Sequence, residues 1–339
     1  MMVPRAGPWG SIMNRRDIKK ISVVIPCYNE QEVLPELFRR MTEAAKSWEL
    51  DWEVICVDDG SYDNTWNILS DQFAKDRRWS AISFSRNFGH QTAVSAGMFH
   101  ATGDAVVVID ADLQDPPEEI VRFIKKWREG YDIVYAVRQH RKEGILKKIS
   151  YWMFYRMLSK MIDFELPLDS GDFCIMDRKI VDILNSMPER SRFVRGLRAW
   201  SGFKQTGLVY ERHARTAGEA KYDFKKLRRL ALDGIVSFST VPLALAAHFG
   251  LWISALSFLG IILLVLQFIF RDFFEALGVG LKPGFSTIVS ILFLGGVQLV
   301  FLGIIGQYLG RIYDEVKQRP RWIIKQSLGS ETKSPSDSL

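Results

Sequence analysis

The chain has 339 residues, 25% of them charged and 47% hydrophobic, with 45 Lys and Arg against 39 Asp and Glu and a formal net charge of +6. This is a globular composition, long enough for one core-bearing domain and a smaller appendage. The basic excess suits nucleic acid, a membrane surface or anionic substrates, but the chain holds no C2H2 spacing, zipper heptad or RNP-like aromatic motif, which excludes nucleic acid as partner. Three scattered cysteines, Cys27, Cys56 and Cys174, with no Cys-x-x-Cys, exclude a disulfide framework and fit a reducing compartment.

Residues 1–19 lack an apolar h-region and read as a flexible tail rather than a signal peptide. From residue 20 to about residue 130 strand and helix patterns alternate. Strands are expected at 21–26, 52–57, 79–83, 105–109 and 132–137, and helices at 32–48, 64–74, 91–101 and from Pro116-Pro117 to about 129. Such alternation predicts an α/β, Rossmann-like, mainly parallel doubly wound sheet, in which ligands bind at the carboxyl ends of strands. Three polar clusters fall at those ends: Cys27-Tyr28-Asn29-Glu30, Asp58-Asp59-Gly60-Ser61 and Asp110-Ala111-Asp112. Cys27 and Cys56 lie in or beside buried strands, where packing is the expected role.

Residues 147–164 mix aromatic, methionine and basic side chains and read equally as a helix packed on the sheet or as an amphipathic helix on a bilayer surface. Residues 222–238 have the same character, and 222–248 are expected to form a juxtamembrane amphipathic segment. The apolar runs 249–270 and 285–306 are each long enough to span a hydrocarbon core, with the second helix running to about 310. Lys225, Lys226, Arg228 and Arg229 precede the first span, and Arg311, Lys317, Arg319, Arg321 and Lys325 follow the second. The linker between the spans carries few cations. The positive-inside rule then places the domain 20–221 and the tail 314–339 on the cytoplasmic side of the inner (plasma) membrane. The glycines of Leu294-Gly295-Gly296 and Gly303-Ile-Ile-Gly306 offer close-packing faces within one chain or in a homo-oligomer.

Asp110 and Asp112, two apart after a buried strand, can hold a hard divalent ion together with diphosphate oxygens; Mg2+ or Mn2+ fits an all-oxygen donor set. Alone, Asp-x-Asp is also common on solvated loops. Its companions make it specific: VVIPCYNE (23–30), VDDGS (57–61), SRNFGH (85–90), DADLQDPPE (110–118), SGDF (170–173), RFVRGL (192–197), GEAKY (218–222) and FLGGVQLVFLGIIGQYLGRIYDEVK (293–317). On these stretches the chain resembles family 2 glycosyltransferases of the GT-A fold. Within them it is similar to the polyisoprenyl-phosphate glycosyltransferases, the dolichyl-phosphate mannose synthase relatives and the bacterial GtrB type.

The resemblance implies a sugar moved from a nucleotide sugar, UDP-linked by likeness to the bacterial members, to a polyprenyl (undecaprenyl) phosphate at the bilayer. It implies that Pro26, Tyr28, Glu30 and Asp59 line the nucleoside and that Asp110 and Asp112 handle metal and diphosphate. Gln114 would stand next to the sugar, and Asp172 would be the catalytic aspartate, as base or positioner. Arg138, Arg195, Arg215 and Lys221 would meet phosphates of donor or acceptor. Three positions depart from the family pattern: Cys174 where an arginine is frequent, His90 where lysine is common and Ala220 where a hydroxyl residue is common. Two other readings compete. A processive polysaccharide synthase would carry Gln-x-x-Arg-Trp, of which Arg198-Ala199-Trp200 is a partial echo, and more spans. A non-catalytic lipid-binding membrane protein has no need of all three carboxylates.

Overall fold

The computed structural model describes residues 19–138, 170–190, 192–210, 241–270 and 285–329. The amphipathic stretches 147–164 and 222–238, together with Arg215 and Lys221, lie outside them. The chain divides into two units, residues 1–224 with 318–339, and residues 225–317.

The first unit is built on an eight-stranded sheet. Its strands are β1 (Lys20–Cys27), β2 (Asp51–Asp58), β3 (Trp79–Phe84), β4 (Ala105–Val108), β5 (Ile133–Arg138), β6 (Ser170–Asp177), β7 (Gln205–Tyr210) and β8 (Ile324–Leu328), in the order β7-β5-β6-β4-β1-β2-β3-β8. Between them run α1 (Leu34–Ala45), α2 (Thr65–Lys75), α3 (His90–His100), α4 (Ile120–Arg128, preceded by a 3-10 turn at Pro117–Glu119), α5 (Arg178–Ser186) and α6 (Val194–Trp200). The expected strands and helices of the first 138 residues are all present, with ends moved by a few residues, as helix and strand termini commonly are.

β1 is central because both of its faces are apolar: Ile21, Val23, Val24 and Ile25 are fully buried, the continuous pattern of a parallel strand covered on two sides. α1 buries Leu34, Leu37, Phe38 and Met41, spaced as one helix face. Trp48, Trp52 and Trp79 pack edge-on, with ring centroids 6.2 and 6.3 Å apart. Gly97 brings α3 against the sheet, since a Cβ there would run into the Val24 side chain. All three cysteines are buried and free, as packing residues should be.

Two features position the site. The chain builds β2 and β3 to one side of β1, then crosses to place β4 on the other, so the carboxyl ends of β1 and β4 form a topological switch point. β6 then runs antiparallel to β4, with Val108 opposite Cys174. Two residues on from Val108 and two back from Cys174, that register brings Asp110, just past the end of β4, towards Asp172 of β6.

β8 is a finding that the sequence pattern did not announce. Its residues, within the stretch expected to be a tail, pair antiparallel with β3, Ala81 opposite Leu328 and Ile82 opposite Ser327. Trp322, only 3% exposed, stacks on Phe84 at 6.4 Å.

The second unit holds α7 (Val241–Ile269) and α8 (Phe285–Val316). Each contains a stretch long and apolar enough to cross a membrane, Val241–Gly260 and Phe293–Val316. α7 is already helical at Val241, where the described residues of this unit begin, and α8 continues to Val316. The rings of Phe249 and Phe301 meet edge-on at 6.1 Å.

Candidate active site

A cavity of about 660 Å³ opens where β1, β2 and β4 end. Pro26, Tyr28, Glu30, Asp59, Asp110 and Asp112 all line it, together with Gly89 and His90. Six of the residues singled out from the sequence are therefore gathered in one place.

Local hydrogen bonding explains how. In Asp58-Asp59-Gly60-Ser61 the two acids have different work. Asp58, 1% exposed, locks the turn: its Oδ1 accepts from Ser61 N at 2.9 Å and its Oδ2 from Ser83 Oγ at 2.7 Å. Asp59 reaches across to the β3–α3 loop, accepting from Phe88 N at 2.7 Å and from Gly89 N at 2.9 Å. Burial raises the Asp59 pKa above the usual carboxylate value, against the pull of those two amides. Gly60 has φ +69°, and a Cβ there would lie 2.7 Å from Asn87 N, so only glycine lets the two loops approach. The β1 loop is tied to the same turn: Asn29 N donates to Ser61 Oγ at 2.9 Å and Glu30 N to Thr65 Oγ1 at 2.9 Å. Tyr28, 43% exposed, stands edge-on to Tyr62 with centroids 6.0 Å apart, an aromatic wall at the cavity mouth.

The acidic end is organised by a charge cluster. His90 Nε2 lies 3.6 Å from Asp110 Oδ1 and 3.6 Å from Asp172 Oδ2, and Arg195 Nε lies 3.2 Å from Asp172 Oδ1. Burial pulls the His90 imidazole down, but the nearby carboxylates of Asp172 and Asp110 outweigh that and push its pKa up to about 9. Asp110 is raised to about 6, mainly by burial and further by Asp172, Asp115 and Asp112, with His90 opposing. Asp172 is buried too, yet Arg195, His90 and Arg198 hold its carboxyl well below the usual range. The turn after Asp112 places Leu113 at φ +57°, a region a leucine rarely enters and one found where a functional loop is held against its local preference. Gln114 N donates to Asp112 Oδ1 at 3.1 Å, fixing that carboxylate.

Not every expected residue enters the cavity. Gln114 is absent from its lining, though its backbone supports Asp112. Arg138 ends β5, opposite Tyr210 of β7. Arg195, expected on a phosphate, is engaged with Asp172. His90 and Arg198 were not among the expected site residues. The family pattern marked His90 only as a departure, and no local signal announces that it bridges two acids far away in sequence.

The family model described as glycosyl transferase family 2 matches residues 22–184. An uncharacterized glycosyltransferase, YkcC, of Bacillus subtilis is 46% identical over 314 residues, covering 92% of this chain and 95% of its own. A prophage-derived bactoprenol glucosyl transferase of Shigella flexneri is 40% identical over 310 residues, covering 91% of this chain and 98% of its own. Among solved structures, glucosyl-3-phosphoglycerate synthase of Mycobacterium tuberculosis, in complex with Mn2+, UDP and phosphoglyceric acid, aligns with 66% of this chain and 78% of its own, at 18% identity and a TM-score of 0.46. With full-length relatives at this identity, and a GT-A-like mixed sheet carrying the motif acids at its strand ends, the chain belongs to glycosyl transferase family 2.

Proposed function

We propose that this enzyme transfers a single sugar from a UDP-linked donor to a polyprenyl phosphate at the cytoplasmic face of the plasma membrane, supplying a lipid-linked sugar for cell-envelope glycans. The observation that carries the reading is the 40% identity, over 91% of this chain, to a bactoprenol glucosyl transferase.

The residues present fit the chemistry. Asp110 Oδ1 is buried without a hydrogen-bond partner, and Asp112 lines the same cavity. Two carboxylates two residues apart at the end of β4 suit Mg2+ or Mn2+. Asp110 and Asp112 would hold such an ion, which would supply Lewis-acid stabilisation for charge on the departing diphosphate. Tyr28, Pro26, Glu30 and Asp59 form the wall suited to a nucleoside. Asp172, kept anionic by its cationic neighbours, favours positive charge on an oxocarbenium-like sugar carbon, as carboxylates do in glycoside hydrolysis. A phosphate monoester has a second pKa of about 6 and is already a ready nucleophile at neutral pH, so Asp172 orients the reactants rather than taking a proton. One direct displacement inverts the anomeric centre. Arg215 and Lys221 are the cations proposed for phosphate groups of donor and acceptor. The two apolar helices suit an acceptor confined to a bilayer, since shared confinement raises its effective concentration.

Asp112→Ala and Asp172→Ala test the reading. Each is expected to abolish radiolabelled glycolipid formation by membranes supplied with UDP-sugar while leaving protein abundance unchanged. Undiminished synthesis in either variant would refute the assignment of the site.

A further inference from the structure

Asp172 and Cys174 are two apart on β6 and so share one face of that strand. α6 packs against β6, and its Arg195 and Arg198, one turn apart, lie on the same side of the helix. Arg195 meets the Asp172 carboxylate directly, at 3.2 Å. Arg198 is different. It is 1% exposed, and its Nη2 lies 3.5 Å from Gly171 O, a distance at the limit of a hydrogen bond. Its Cζ stands 5.5 Å from the centre of the Tyr135 ring, and Nε has no hydrogen-bond partner. Among the described residues no carboxylate is in ion-pair contact with it. The neighbouring Cys174 thiol, pushed up by burial, stays neutral and does not balance the charge.

A guanidinium is always protonated, and burying one without a paired anion costs several kcal/mol. An apolar side chain of similar length would be expected to stabilise the fold at this place. The charge therefore has some purpose other than stability, and the carboxylate beside its seat is Asp172, the residue after Gly171 and two before Cys174 on the same strand.

We propose that Arg198 is a positioning residue for glycosyl transfer: its buried guanidinium, seated against Gly171 and Cys174, fixes the charge and orientation of the Asp172 carboxylate from within the protein. Cys174 contributes by being small and neutral, leaving room for the guanidinium and not competing for it. The inference rests on Asp172 serving the transfer reaction, as proposed above.

The test compares Arg198→Met and Arg198→Lys in the full chain, purified in detergent and assayed with UDP-glucose, undecaprenyl phosphate and Mn2+. Methionine keeps the length without the charge. It is expected to leave the unfolding temperature equal or higher and the donor KM nearly unchanged while lowering kcat about 100-fold, the scale of a misplaced reacting group. Lysine restores the charge and is expected to recover about a tenth of wild-type kcat or more, one factor of ten corresponding to about 1.4 kcal/mol. Wild-type kcat in Arg198→Met overturns the inference. So does a fall in unfolding temperature and kcat together in both variants, which marks a packing role. A wild-type enzyme that forms no lipid product under these conditions counts instead against the proposed acceptor, so the two failures are distinguishable.

Discussion

Replacing Trp322 with alanine is expected to unfasten the loop that carries His90. Trp322 is 3% exposed, stacks on Phe84 with ring planes 17° apart, and meets Phe99 edge-on at 5.9 Å. The next residue accepts from Ser85 N through Ile323 O at 2.9 Å, and β8 follows at once along β3. The loop Ser85–His90 thus begins where the strap is attached, passes through the amides held by Asp59, and ends at the imidazole between Asp110 and Asp172. Truncating a buried Trp costs about 3–5 kcal/mol. At about 2–4 °C per kcal/mol for a unit of this size, Trp322→Ala should lower the unfolding temperature by roughly 6–20 °C. It should also raise the donor KM as the loop loosens. Trp322→Phe should lose far less, since the indole Nε1 has no hydrogen-bond partner to forfeit and the stack survives. Differential scanning fluorimetry in detergent, paired with initial rates over a range of donor concentrations, reads both effects. An unfolding temperature within 2 °C of wild type, a margin of roughly 1 kcal/mol or less, would show that the strap is not held as described.

Gly60→Ala should cost about 1–3 kcal/mol through its positive φ, with more from the clash against Arg86 and Asn87. It should raise the donor KM by shifting Asp59, and a variant with unchanged melting and kinetics contradicts the loop packing. The pKa of about 6 at Asp110 sets a pH dependence. The raised value means that the metal-free site binds a proton below about pH 6, and a metal must displace it. Apparent Mn2+ affinity should therefore level off above that pH and fall about tenfold per unit below it. Isothermal titration in non-chelating buffers across that range checks this, and a flat profile is the contrary result. His90→Ala removes the positive charge that lowers Asp110, so it should move the same limb to higher pH.

The parallel half of the fold was legible because its signals are local. β1, β2 and β4 are short, nearly continuous apolar runs, and the polar clusters follow them directly, so the rule that ligands gather at strand ends found Tyr28, Asp59, Asp110 and Asp112 together. What the sequence did not disclose is long-range. Asp172 comes beside Asp110 only through the antiparallel register of β6 on β4, which no spacing encodes; the family resemblance, not the periodicity, marked it. Its cationic neighbours Arg195 and Arg198 arrive from a further helix. β8 was missed because Ile-Lys-Gln-Ser-Leu is a short edge strand, two of whose five residues are exposed, and such strands owe their existence to the partner edge they cover rather than to their own pattern.

The central claim is that the acids at the mouth of this sheet serve sugar transfer to a lipid phosphate. Purified full-length protein, undecaprenyl phosphate and Mn2+ can be incubated with UDP-glucose, UDP-galactose, UDP-N-acetylglucosamine or GDP-mannose in turn, and the lipid fraction read by mass spectrometry. The expected result is a mass gain of one sugar residue on the lipid phosphate with a UDP-linked donor, dependent on the divalent ion and absent from Asp172→Ala. A lipid carrying several sugars, or an unmodified lipid with every donor while the protein remains folded, would contradict it.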